Sequence, residues 1–291
     1  MKANSASRTA QYMALFRAIE TVQSQSKRLF ADPYAINFLD KGLQLVTKFA
    51  SIPFVGNLIP KLIHQKGIGA ISSGIARTKY IDDLLETTVK EGCKQLIILG
   101  AGFDTRSIRL DFLKQIIIIE IDHPDTSNFK KKIYRSSIGA LPGNVSFQQA
   151  DFNKQTLHEI TEIANINYSL STTIIWEGVT NYLTKEAIDT TFDFTKKFSS
   201  PFNMIFTYIE KEVLDNPQNF KGTKQLFENL KKNEEQWTFG FDPNGLSSYL
   251  KSFDLTLTED LNATGYRNRY IPDRQGILEG YEFYHVAKAK R

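Results

Sequence analysis

Three carboxylates in this chain each close a strand-like apolar run, and a glycine loop closes a fourth. Asp122 follows the run 116–121, Asp151 follows 145–150, and Glu177 follows 173–176. The loop reads Leu99-Gly100-Ala101-Gly102-Phe103-Asp104-Thr105-Arg106 and comes directly after the run 95–99. A carboxylate accepts hydrogen bonds from hydroxyls and amines. A strand that turns sharply against a ligand needs residues without a Cβ. Glycines followed by three strand-ending acids describe an edge that grips a nucleoside.

The loop itself narrows the ligand. A dinucleotide site places pyrophosphate on a helix N-terminus behind Gly-x-Gly-x-x-Gly. Here the third glycine position is Thr105 and Asp104 precedes it. A carboxylate repels pyrophosphate but welcomes the ammonium of a zwitterionic, amino-acid-bearing cofactor. The helix expected after the loop would add unpaired N–H groups and a positive dipole. An ordinary strand–helix turn would need the same glycines for steric reasons alone. Asp122 lies on the order of 20 residues after Gly100, the spacing at which an acid meets ribose hydroxyls. Glu120, on the same strand face, is its rival, and Asp122 could instead cap a helix starting at Pro124. Asp151 could accept from an adenine amino group with Phe152 covering the ring, or cap the helix that follows. Glu177 ends a strand expected beside the first one, at the switch point where open α/β sheets bind ligands. Trp176, Thr180, Asn181 and Tyr182 would line that crevice or serve packing and capping.

Positioning such an edge requires a parallel sheet. The runs 95–99, 116–121, 145–149, 173–176 and 204–209 alternate with helical patterns, which argues for βαβ units. Consecutive isoleucines at 116–119 fit a strand buried on both faces. Right-handed crossovers then place the strand-end loops along one edge. Before this core, residues 1–89 read as helical. Residues 7–23 form one helix with Tyr12, Leu15, Phe16 and Ile19 on an apolar stripe, and Asp32-Pro33 signals a helix start. Residues 52–74 read as short helices joined by bends, covering the core or closing over it as a lid. Residues 90–291 form the core, with a polar helical insertion at about 211–240. A helix at 244–253 and strands at 255–258 and 281–287 complete the chain.

Composition sets the outer bounds. The 291 residues are 41% hydrophobic and 23% charged, enough for a packed core. A net charge of +4 is spread too thinly to form the basic stripe that nucleic acid needs. The densest basic cluster, Lys130 to Lys132 with Arg135, reads as a solvated helix face. Cys93 stands alone, so no internal disulfide forms, and its place before a core strand suggests a structural role. His64, His123, His158 and His285 show no metal-ligand spacing. The apolar stretch 43–63 is broken by Lys48, Pro53, Gly56, Asn57 and Pro60, so it does not span a membrane. Residues 1–11 lack a signal-peptide core. A cytoplasmic protein without nucleic-acid, membrane or metal partners is expected.

Taken in order, LGAGFDTR, IEIDHP, ADF and WEGVTNYL complete a pattern, with Ser7-Arg8-Thr9-Ala10, Arg77-Thr78 and Ile81-Asp82-Asp83 upstream. This pattern resembles the leucine carboxyl methyltransferase family, in its bacterial S-adenosylmethionine-dependent O-methyltransferase branch. The resemblance is clear over 5–182 and thinner beyond, where Phe239-Gly240-Phe241 and Tyr270 sit at comparable places. It implies an α/β fold: a seven-stranded class I methyltransferase (Rossmann-like) sheet with an antiparallel last strand, a helical N-terminal cover and a late helical insertion. It implies S-adenosyl-L-methionine as cofactor. Arg77 would then pair with the cofactor's carboxylate, and Gly100 would line the methionine part, with Gly102 beside it. Asp122, rather than Glu120, would hold the ribose, Asp151 and Phe152 the adenine, and Glu177 would sit near the ammonium. The implied reaction is methyl transfer to a carboxylate or hydroxyl oxygen of a small molecule, polyketide-like or another secondary metabolite. Tyr182 and His123 lie near the edge without a visible activating partner, so no catalytic base is assigned. Two alternatives stand beside this reading: an NAD-linked oxidoreductase, disfavoured by Thr105, and a non-catalytic nucleoside-binding module.

Overall fold

The computed structural model describes residues 8–52, 55–150, 165–199, 201–232, 235–274 and 276–291. The five apolar runs of the core are strands: β1 (Gln95–Leu99), β2 (Ile117–Asp122), β3 (Val145–Gln149), β4 (Thr172–Trp176) and β5 (Phe202–Ile209). They pair in parallel in the order β3-β2-β1-β4-β5. β7 (Tyr284–Lys290) pairs antiparallel with β5 and with β6 (Thr256–Asn262), completing a seven-stranded sheet. Both late strands start later than the sequence pattern suggests. Asp254 and Tyr281 have φ values of 59° and 64°, and a left-handed residue cannot continue an extended strand.

Alternation along the strands builds two cores. Ile97, Ile119, Ile174, Trp176, Met204 and Phe206 pack on one face with Phe192 and Leu250, so Trp176 is a core residue. Leu96, Ile98, Ile118, Ile175 and Ile205 pack on the other with Tyr80, Ile81 and Leu85.

Among the described residues four α-helices precede β1: α1 (Arg8–Thr21), α2 (Lys41–Ala50), α3 (Val55–Lys66) and α4 (Ala70–Lys90). Leu15, Phe16 and Ile19 of α1 are buried, but Tyr12 is 41% exposed, so the apolar stripe is narrower than expected. At Asp32-Pro33 the chain makes a short 3-10 turn (Ala35–Phe38) instead of an α-helix. One oxygen of the Asp32 carboxylate accepts from the Tyr34 and Ala35 N–H groups at 3.2 and 3.1 Å, and the other from Arg17 Nε at 2.8 Å and Thr105 Oγ1 at 2.6 Å.

The later helices are α5 (Arg106–Arg109), α6 (Pro124–Ile138), α7 (Lys185–Phe194), α8 (Glu212–Asp215), α9 (Thr223–Lys232), α10 (Pro243–Lys251) and α11 (Ala263–Tyr270). Two expectations change here. The helix after the glycine loop is one turn long, so its dipole is small. Lys130 on α6 is not solvated: it is 2% exposed and pairs with Glu120 at 2.6 Å. Among the described residues no helix is long and apolar enough to cross a membrane. The same residues hold no cluster suited to a metal ion.

Candidate cofactor and acceptor site

The strand order reverses between β1 and β4, and a cavity of about 1570 Å³ opens beyond their carboxyl ends. Arg77, Gly100, Gly102, Asp122 and Glu177, which come from α4, β2 and the loops after β1 and β4, all line it. Ala150, the residue after β3, lines it too. Asp151 and Phe152 lie outside the described residues.

Local geometry explains the glycines. Gly100 has φ of +66°, and a Cβ there would stand 2.5 Å from Val179 Cγ2. Gly102 has φ of +46°, and its N–H donates to Asp122 Oδ2. The other oxygen of Asp122 accepts from the His123 N–H at 2.6 Å. Each carboxylate oxygen has a second lone pair, so both can still accept from a diol. Burial pushes the Asp122 carboxyl up from its ordinary value, against the opposing pull of these two N–H groups. Glu120 is fully committed elsewhere. It faces Lys130 and accepts from Ser107 Oγ at 2.8 Å, and it does not line the cavity. The cap of α6 is His123, whose Nδ1 accepts from the Asp125 N–H at 3.3 Å.

The charge pattern around Glu177 was not legible from spacing. Arg77 Nε donates to Glu177 at 3.0 Å and Arg106 Nη1 donates to its other oxygen at 2.9 Å. Arg106 also pairs with Asp104 at 2.5 Å and Asp82 at 2.7 Å, and Arg109 pairs with Asp82 at 2.7 Å. Burial alone would raise the Glu177 carboxyl, but the Arg106 and Arg77 guanidiniums overcome it and hold the group below its usual range. Asp104, expected to meet a ligand ammonium, is instead neutralised by Arg106 two residues along. The Arg77 guanidinium also lies 4.5 Å from the centre of the Tyr284 ring.

Four aromatic residues, Tyr182, Trp237, Tyr281 and Tyr284, also line the cavity. Trp237 comes from the late insertion, and Tyr281 is held at positive φ where the chain enters β7. Neither was separable by sequence from the many other aromatics. Asn181 Oδ1 is buried without a hydrogen-bond partner, and its residue lines the same cavity. Burial pushes the Tyr182 phenol up to about 12.

This sheet order, with an antiparallel β7 and a cavity at the β1/β4 switch point, is the seven-stranded class I, Rossmann-like fold. Residues 10–196 match the family model described as leucine carboxyl methyltransferase, and the chain belongs to that family. S-adenosyl-L-methionine is therefore its cofactor, and the nicotinamide alternative falls away. A protein of Mycolicibacterium smegmatis named "Putative S-adenosyl-L-methionine-dependent methyltransferase/" is 30% identical, covering 68% of this chain and 65% of the relative. A similarly named protein of Mycolicibacterium gilvum is 26% identical, covering 76% and 70%. A solved Thermobifida fusca structure named a "putative methyltransferase" superposes with a TM-score of 0.55 over 95% of this chain and 94% of its own, at 12% identity. That likeness shows the fold.

Proposed function

We propose that this enzyme methylates a carboxylate oxygen of a small, largely apolar organic acid, polyketide-like in character. In this reading Asp122 holds the ribose hydroxyls, and Arg77 and Glu177 flank the carboxylate and ammonium of the cofactor's methionine end. Gly100 and Gly102 leave room for its chain, and Asp151 with Phe152 keep the adenine role that the family resemblance implies. The orphaned Asn181 Oδ1 supports the fit, because a buried acceptor without a partner is costly until a ligand donor meets it.

The observation that carries the proposal is that one cavity gathers two unlike sets of residues. One set is charged and suits a zwitterionic nucleoside, while the other is aromatic. The volume of about 1570 Å³ exceeds the roughly 300–1,000 Å³ of a one-ligand pocket, which leaves room for an acceptor beside the cofactor. When bound, S-adenosyl-L-methionine supplies a methyl group already activated by its sulfonium. The chain's own work is to align the acceptor oxygen and exclude water.

Carboxylate is favoured over hydroxyl by the state of the nearby bases. A carboxylate is ionised at neutral pH and needs no proton removed, whereas a hydroxyl acceptor does. Tyr182, raised to about 12, stays a phenol near neutrality. His123 Nδ1 is engaged at the start of α6. The test is transfer of labelled methyl from S-adenosyl-L-methionine to a panel of small carboxylic acids and phenols, followed by treatment with base. Methyl esters release methanol in base and aryl ethers do not. Label recovered as methanol is the expected result. Label retained in base-stable ethers, or no transfer across the panel, overturns the proposal.

A further inference from the structure

The outer face of the α2–α3 pair is apolar and exposed. Of the nine large apolar side chains exposed among the described residues, six are here: Leu45, Phe49, Ile52, Val55, Leu58 and Leu62. Exposure runs from 38% at Val55 to 57% at Leu58. The spacing of Leu45 and Phe49 on α2, with Ile52 just past its end, and of Val55, Leu58 and Leu62 on α3, puts the α3 trio and the α2 pair each on one helical stripe. The inner sides of the same helices are used differently. Thr47, Ala50 and Ile59 are buried, and Leu43, Val46 and Ile63 line the methyl-transfer cavity.

The charge that these two helices carry has one sign. Lys41, Lys48, Lys61 and Lys66 are exposed and interleave with the apolar stripe, Lys66 also lining the cavity. No acidic residue occurs between Asp40 and Asp82, although the whole chain carries 32 acids against 36 bases. An apolar stripe bordered by lysines is the pattern of a helix that lies in a membrane interface. The interruptions at Lys48, Gly56 and Pro60 that rule out a span are no obstacle to lying flat, which needs neither length nor continuity.

We propose that the α2–α3 face docks this enzyme onto an anionic lipid bilayer. Leu45, Phe49, Leu58 and Leu62 enter the acyl boundary, and the four lysines meet headgroup phosphates. Charge complementarity selects this occupant. A second copy of the chain would set the same four lysines against these four. Docking also places the inner, cavity-lining side of the two helices just behind the bilayer surface, whatever acceptor the cavity takes.

The experiment is co-sedimentation of the full chain with vesicles of phosphatidylcholine alone and of phosphatidylcholine mixed with phosphatidylglycerol. Binding is expected to the anionic vesicles, with loss as salt rises. The double variants K48E/K61E and L58S/L62S should each weaken it by about tenfold or more. None of these four residues lines the cavity, so calorimetric binding of S-adenosyl-L-methionine should be unchanged and reports that the variants fold. Should the serine pair lose cofactor binding as well, the exposed lysine pair decides. Three results overturn the proposal: no binding to either vesicle, equal and salt-insensitive binding to both, or a dimer in solution that L58S/L62S dissolves while vesicles are ignored.

Discussion

Glu120 and Asp122 share a face of β2 and have opposite uses. The first is sealed against Lys130, and the second opens on the cavity. Their truncations should therefore fail in different assays. Asp122→Ala removes a charged acceptor and should weaken S-adenosyl-L-methionine binding by about 1.5–3 kcal/mol, read by calorimetry, with little change in melting temperature. Glu120→Ala strands a buried lysine and should cost about 3–5 kcal/mol of folding stability, read by denaturant unfolding. If the two variants swap behaviours, the ribose role of Asp122 is lost. At this scale the sequence offered both acids as candidates. What separates them is Lys130, which reaches Glu120 from the next helix, and its neighbours Lys131 and Lys132 disguised it as one more surface charge.

Elements meet their partners through side chains whose pairing depends on register. His285 on β7 lies between Asp260 on β6 and Glu210 at the end of β5, with its ring nitrogens 2.9 and 3.0 Å from their oxygens. Tyr208 shares the cluster at 3.0 Å. Burial would lower the imidazole, but the two carboxylates outweigh it and raise His285 above its ordinary value of 6.5. A raised folded value means the protonated form is bound more tightly in the native state. Its stabilisation is complete below pH 6.5 and disappears as pH rises through the raised folded value. The stability gap between wild type and His285→Gln, measured by urea unfolding, should thus be larger at about pH 5.5 than at about pH 9. A gap that grows with pH contradicts this assignment. The sequence analysis noted His285 only as lacking metal-ligand spacing. The antiparallel pairing of β7 with both neighbours, which brings the three residues together, follows from the sheet and not from any local pattern.

At the scale of the whole molecule, one junction between the helical beginning and the sheet runs through Arg17. Arg17 on α1 donates to Asp32 at 2.8 Å and to the Phe103 carbonyl at 2.6 Å, and Asp32 accepts from Thr105 at 2.6 Å. Phe103 and Tyr134 share an apolar cluster with Phe16, Ile19 and Phe38. We propose that the leading helices act as a fixed wall of the cavity at this junction, whatever movement occurs farther out at α2 and α3. Arg17→Met keeps the volume but leaves Asp32, whose side chain is fully buried, with Arg109 at 3.9 Å as its remaining cation. It should cost about 3–5 kcal/mol of stability and weaken cofactor binding, because the glycine loop loses its support. Unchanged melting and unchanged cofactor affinity would mean the junction carries no load.

By itself the sequence determined the five parallel strands, the glycine turn and the strand-end places of Asp122 and Glu177. All three are short-range consequences of hydrophobic period, of φ > 0 at Gly100, and of where an apolar run stops. It also carried enough motif to point to the family. Tertiary structure alone decided which charges cancel and which face the cavity. Arg106 neutralises Asp104 and clasps Glu177, Lys130 removes Glu120, and Trp237 arrives from a distant insertion to line the cavity. It also decided that the lysine-bordered stripe on α2 and α3 points outward, since burial is a property of what else packs nearby. The physical reason is that Coulombic pairing and exclusion of water depend on distances of a few ångströms in space, which separation along the chain does not encode.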